Sequence, residues 1–191
     1  MKNRVSANTI IVEVISIMFA VIIGFIVNEW RENTNNKSNA ELAIKRIKIE
    51  MEQNYEQLQS KQNYYNNMID VLDSLISISG NSKISSAESI PGWKGINPPM
   101  LTFSSYKTAS SIGIFSFIDF TTADHISKVY LIQDELHKLG TTSINSLISG
   151  ELNNYNSLNL LFVVYTELIK GWMAAYNQAL EINIKRDIKN N

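Results

Sequence analysis

Glu13 raises the first chemical question in this sequence. It is the one charge in an 18-residue run, Ile10 to Val27, whose other side chains are apolar or small. An ionisable group in such a run marks a proton or ion path, or a buried helix contact, when it has a partner. No Lys or Arg lies within the run, and Glu13 sits only three residues from its start. Its carboxylate can therefore snorkel to the near edge, where the positive end of a helix dipole favours it. Elsewhere the inventory is thin. His125 and His137 are the only histidines, and twelve residues apart on one helix they lie about 18 Å from each other, too far to share a metal. Asp134 and Glu135 beside His137 have ordinary helix-surface spacing. The stretch "SSYKTASS" around Lys107 offers hydroxyls and an ammonium to an anion, although a polar helix face is the better explanation. With no cysteine there is no thiolate zinc site, disulfide or cysteine nucleophile. The sequence has no phosphate-binding glycine loop, nucleophile elbow or dinucleotide fingerprint. No catalytic, cofactor-binding or metal-binding residue is expected, and an enzyme is not expected.

The elements that would position any chemistry are more informative. The chain has 191 residues, a formal net charge of -1 and 45% hydrophobic residues, which suits one domain of ordinary size plus an appendage. A mean hydropathy of -0.08 and a pI near 6.1 describe a polar average that hides one greasy segment. There is no global basic excess to neutralise phosphates, so nucleic acid is not an expected partner.

The apolar run is that segment. As a helix its 18 residues reach about 27 Å, close to the hydrocarbon thickness of a bilayer. Lys2 and Arg4 precede it as in a signal peptide, but Phe25 to Trp30 provide no small-x-small cleavage site. A core helix would show a polar face, and no charge interrupts Val14 to Val27. The expectation is a retained transmembrane helix over 10–27, with Trp30 and Arg31 as membrane-interface anchors. Within it Glu13, Ser16, Ala20, Gly24 and Asn28 recur every three or four residues and form one polar and small stripe. Ser16, Ala20 and Gly24 make two small-xxx-small steps, the pattern that lets helices approach closely in lipid. The stripe is read as a transmembrane association face, most simply for a homo-oligomer, with chance clustering of small residues as the alternative.

These residues carry a resemblance. The Glu before the run, "VISIMFAVIIGFIV" and the closing "NEWREN" resemble the start of an uncharacterised family of bacterial single-span membrane proteins, grouped under a domain of unknown function. In that family similar runs end in NEWRE or NNWNE. "YKTASSIGIFSFIDF" followed by "DHISKVYLIQDEL" is similar to a second block of the same family. The resemblance implies architecture and a bacterial membrane, and brings no activity or catalytic residue.

A tail at 1–9 precedes the run; past it a juxtamembrane hinge is expected over 28–37, where the polar "TNNKSN" begins at Thr34. A helical soluble domain is expected over 38–191. Its first helix should run from about Ser38 to Ser79, because no Gly or Pro stops it. A heptad seam of Ile44, Lys48, Met51, Tyr55, Leu58, Gln62, Tyr65, Ile69, Leu72 and Ile76 runs along it. That seam serves either an intermolecular coiled coil or a helix of an intramolecular bundle, and later segments supply bundle partners. Residues 80–100 hold all three prolines and form the main loop, with Trp93 expected to pin it to the bundle. A short helix should end near Ile112 with Gly113 as its stop, followed by a brief extended or buried "IFSFI". A further helix is expected from an N-cap at Thr121 or Thr122 through Leu139, stopping at Gly140. The last helical pattern, about Thr142 to Lys189, should break near Gly150. Its apolar "LNLLFVVYTELIKGWMAAY" is read as a core helix, since Asn159, Glu167 and Lys170 interrupt it. The fold class is all-α: an N-terminal transmembrane helix, then a helical bundle with one very long helix.

Basic residues cluster at Lys45, Arg46 and Lys48 and again at Lys185, Arg186 and Lys189, where anionic lipid would attract them. Arg31, Lys37, Lys45 and Arg46 after the span outnumber Lys2 and Arg4 before it, which favours a cytoplasmic soluble domain on a bacterial inner membrane. The functional expectation is a single-pass, membrane-anchored interaction, scaffold or regulatory protein, homo-oligomeric, partnered by the lipid bilayer and by a protein the sequence does not name. The alternative is a ligand-gated membrane effector or sensor, whose helical domain binds a small signal and whose spans rearrange. No cofactor is expected in either case.

Overall fold

The computed structural model describes residues 7–80 and 82–181. It is all-helical, with helices α1 (Ala7–Ser79), α2 (Ser104–Ser111), α3 (Phe120–Ile148) and α4 (Tyr155–Leu180) and two short 3-10 turns, Ala87–Ser89 and Ile114–Phe117. Among the described residues the sole extended pairing is an isolated antiparallel bridge between Lys83 and Asn154.

α1 is one helix of 73 residues, about 110 Å long. It runs without interruption through "TNNKSN", so the stretch expected as a hinge is helical. Asn, Ser and Thr cost only about 0.5 kcal/mol each relative to Ala in a helix, and a helix established on both sides needs propagation rather than nucleation. The Thr34 hydroxyl also donates to the Trp30 carbonyl at 2.9 Å, using the helix's own backbone as its acceptor.

The first part of α1 touches nothing: its 18-residue window of highest hydropathy has a mean of 2.5 and is 0% buried. From Ala40 onward the same helix is the centre of the domain. Ala40, Ile44, Ile47, Met51, Leu58, Tyr65, Met68 and Leu72 are buried at steps of three, four or seven. Of the expected seam, Ile44, Met51, Leu58, Tyr65 and Leu72 are buried, while Lys48, Tyr55, Gln62, Ile69 and Ile76 are half-buried. The buried positions that complete the face are Ile47, Asn54 and Met68, each one residue before an expected seam position. The face is turned because α4 covers it within the same chain.

α4 makes the most extensive packing on α1, and α3 packs on α4. Cross-links fix the directions. Asn159 donates to Asp73 at 2.8 Å, the Tyr65 and Tyr165 rings lie 5.1 Å apart, and Tyr176 and Asn54 both bond Gln133. α4 therefore runs antiparallel to α1, and its C-terminal end returns toward the apolar start of α1. The most apolar 18-residue window of α4 also has a mean hydropathy of 1.2 and is 28% buried, so the helix is long and apolar enough to cross a membrane by composition, but here Leu158, Phe162, Tyr165, Thr166, Ile169, Tyr176 and Ala179 are buried in the domain.

Local signals explain the remaining boundaries. Gly113 ends α2 with a φ of 73°, a left-handed conformation open to glycine. "IFSF" is a 3-10 turn rather than extended chain. α3 is capped by Asp119, whose carboxylate accepts from the Thr121 and Thr122 N–H groups at 2.8 and 3.2 Å; the expected threonine caps are the capped residues. α3 also continues through Gly140 to Ile148. Gly140 is there for closeness, not termination: a Cβ on it would lie 2.9 Å from the Pro98 Cβ. The loop before α2 thus crosses α3 where only a glycine leaves room.

Candidate functional site

Glu13, Ser16, Ala20, Gly24 and Asn28 all lie on the exposed first part of α1. A Cβ on Gly24 would meet nothing within 4 Å, so among the described residues nothing uses the close approach that glycine permits. The Ser16 hydroxyl donates to the Val12 carbonyl at 2.8 Å, which satisfies it inside its own helix. Trp30 is 70% exposed and Arg31 is exposed beside it. Because α1 is unbroken, the direction of the stripe relative to the domain is fixed. At 100° per residue, Ala20 and Gly24 point roughly opposite to the buried face of Ile47, Met51, Leu58 and Tyr65.

The domain contains a polar network that the sequence reading missed. Glu50 on α1 is 4% exposed, yet its carboxylate has four donors. Ser104 Oγ and the Ser105 N–H reach one oxygen at 2.9 and 2.8 Å; the Tyr130 hydroxyl and the Tyr106 N–H reach the other at 2.6 and 3.4 Å. Glu50 thereby caps the first turn of α2 from a different helix. Burial alone would raise its pKa, but the Ser105 N–H, the Tyr130 hydroxyl, Ser104 and the Tyr106 N–H together hold it below the usual value. Burial first, then the Glu50 carboxylate, push the Tyr130 hydroxyl up. This pair is a neutral phenol donating to a carboxylate. Tyr106 stacks on Tyr130 with centroids 4.2 Å apart.

One turn farther along α1, Asn54 is fully buried. Its amide donates to the Thr102 carbonyl at 2.7 Å and accepts from the Thr102 N–H at 2.9 Å, the pairing of a strand neighbour made by a side chain. Gln133 of α3 also donates to the Thr102 carbonyl at 2.8 Å and accepts from the Tyr176 hydroxyl of α4 at 3.1 Å. Glu50 and Asn54 therefore tie α1, the segment before α2, α3 and α4 together at one level. The signal available in the sequence was a Glu and an Asn four residues apart on the face of Ile47 and Met51; reading Lys48 and Tyr55 as seam positions turned that face away.

This arrangement is structural chemistry. The Glu50 oxygens are saturated by donors, so the carboxylate is not poised as a base. Beside it a cavity of ≈ 280 Å³ opens to solvent between Arg46, Ile49, Gln53 and Ser104. His125 and His137 sit on α3 with no shared ligand set, and among the described residues no group of three or more His, Cys, Asp or Glu is placed to hold a metal. Asp134 and Glu135 both pair with Lys138 at 2.9 Å on the surface. Lys107 lies 4.0 Å over the Phe103 ring, a cation–π contact that accounts for it within α2. The long loop is pinned as its composition suggests: Trp93 packs edge-on against Phe162 at 6.1 Å, while the Tyr64 hydroxyl accepts from the Lys94 N–H and donates to the Gly95 carbonyl. Lys185, Arg186 and Lys189 lie outside the described residues. The chain matches no protein-family model, no curated protein and no solved structure.

Proposed function

We propose that the chain is a single-pass, membrane-anchored interaction module of a bacterial inner membrane, acting through protein contacts rather than catalysis. One observation carries the reading. The apolar start of α1 is wholly exposed, while the same helix becomes the buried axis of the domain from Ala40. Fourteen exposed large apolar residues between Ile11 and Trp30 would be untenable in water and suit a bilayer. The saturated Glu50 and Asn54 network supports a structural domain. Arg31, Lys37, Lys45 and Arg46 favour the cytoplasmic side for this domain.

The test is alkaline extraction of membranes from cells expressing the full chain. It should remain with the lipid, and Phe19→Asp with Ile22→Asp should release it; a wild-type chain found in the soluble fraction refutes the proposal. The uninterrupted helix favours a second reading, a ligand-gated effector, since any signal that shifts the Glu50 level of the domain moves the span with it. Glu13→Gln or Gly24→Leu would then abolish its activity with the domain still folded; unchanged activity refutes this reading.

A further inference from the structure

Among the described residues, the outer face of α1 beyond the membrane carries two large apolar side chains left about half exposed, the second of them also at the rim of the cavity beside Glu50. Leu42 is 57% exposed and Ile49 is 45% exposed; from there to the end of the helix, only Ile78 is comparably bare. They are seven residues apart and point away from the buried face of Ala40, Ile44 and Ile47. Counting back in heptads from Leu42 reaches Asn28, and from Lys45 reaches Gly24, both on the stripe of the span. The unbroken helix makes this register a physical line rather than a formal one.

We infer that this face docks a second copy of the chain, in a near-parallel α1 pair running from the span to Ile49. The inference rests on the anchoring reading above, because two chains held in one bilayer present this face in parallel and at equal height. Charge complementarity selects the occupant. With Leu42 and Ile49 at the core positions of a parallel pair, Glu41 flanks the seam on one helix and faces Arg46 of the second copy, five residues on, and symmetry makes this contact twice. Glu41 and Arg46 are exposed in the single chain. Lys45, between the two apolar residues, lays its methylene stem on the seam and its ammonium in water. Between the stripe and Leu42 the same register holds the polar Arg31, Asn35 and Ser38, so Leu42 and Ile49 supply its apolar contact outside the lipid, and that contact ends at Ile49 because Glu52, Glu56, Gln59 and Asn63 follow. α3 and α4 then lie at the periphery, with the exposed back of α4 free.

The absence of cysteine makes cross-linking in native membranes a clean test. Core positions of a parallel pair bring Cα atoms to about 6 Å, within disulfide reach. Leu42→Cys and Ile49→Cys should each give oxidised dimer at least fivefold above Val164→Cys on the back of α4 and Asn63→Cys farther out. Glu41→Arg in the Leu42→Cys chain should reduce that yield severalfold, and adding Arg46→Glu should restore it. Cross-linking of Ala20→Cys without Leu42→Cys overturns the inference while leaving anchoring intact. That is the result for helices crossing at about 40° in the span, which would stand about 20 Å farther apart at Leu42. A dimer through Val164→Cys alone, or no dimer in a membrane-bound chain, overturns it as well. A chain that is not membrane-bound instead removes the anchoring reading on which it rests.

Discussion

Replacing Glu50 by Gln separates capping by shape from capping by charge. The substitution keeps size and one carbonyl oxygen, but turns the other oxygen into an NH2 group. Each carboxylate oxygen accepts from a backbone N–H, Ser105 on one side and Tyr106 on the other. The Ser104 and Tyr130 hydroxyls can rotate to accept; a backbone N–H cannot. Whichever way the amide is turned, two donors face each other in a site that is 4% exposed. The loss is a charge-assisted hydrogen bond plus an unsatisfied buried N–H, together about 2–4 kcal/mol. For a domain of this size that lowers Tm by about 6–12 °C, measured by circular dichroism on detergent-solubilised full chain. Glu52→Gln, exposed on the same turn, should move Tm by less than about 2 °C. The pH dependence has a definite sign. The folded-state pKa of Glu50 lies below its ordinary 4.5, so its contribution is fully present above that value and is lost as pH falls through the folded value. Wild type should lose stability in that acid window more steeply than Glu50→Gln. A Glu50→Gln chain with wild-type Tm at neutral pH refutes the capping argument.

Other substitutions probe separate parts of the fold. Phe162→Ala should destabilise by about 3–5 kcal/mol in chemical denaturation, because Phe162 is fully buried and meets Tyr64, Tyr65 and Trp93. Gly140→Val should lose about 1–3 kcal/mol by driving side-chain atoms into Pro98, with the change read in Trp fluorescence on denaturation. Thr166→Val should gain about 1 kcal/mol, since the Thr166 hydroxyl is buried without a hydrogen-bond partner; a loss of that size contradicts the assignment. Asn35→Pro should leave the melting of the domain nearly unchanged, because among the described residues the first fully buried side chain is Ala40 and only Asn36 and Lys37 are half-buried before it. Spin labels at Arg31→Cys and Lys45→Cys, in labelled chain diluted with an excess of unlabelled wild type so that pairs of labelled copies are rare, should report one narrow distance near about 21 Å without the proline and a broad distribution with it. A broad distribution before the proline is added means a hinge.

The parts of the fold legible in the sequence are those encoded locally. An apolar run of 18 residues, a long segment without Gly or Pro, and Gly113 after a short helical pattern led to the all-α class, the very long helix and the end of α2. Features set by partners distant in sequence were not legible. Gly140 reads as a stop, yet its meaning lies in Pro98, 42 residues earlier, whose ring passes 2.9 Å from a would-be Cβ. Glu50 reads as one more helix-surface acid until α2 presents its N–H groups to it. "TNNKSN" reads as a hinge because its residues favour turns in isolation, whereas the helical segments on either side decide its conformation. The stripe of the span was legible as a pattern, but its direction relative to the domain required knowing that no break intervenes.

That continuity has a mechanical side. On the proposed anchoring, with Val27 at the edge of the lipid, the helix from there to Ser79 is a stiff arm of about 80 Å. A change of 10° in span tilt, of the kind that adjusts a helix to bilayers of different thickness, carries the far end sideways by about 14 Å. Under that anchoring, local lipid thickness is converted into the lateral position of a protein surface well clear of the membrane.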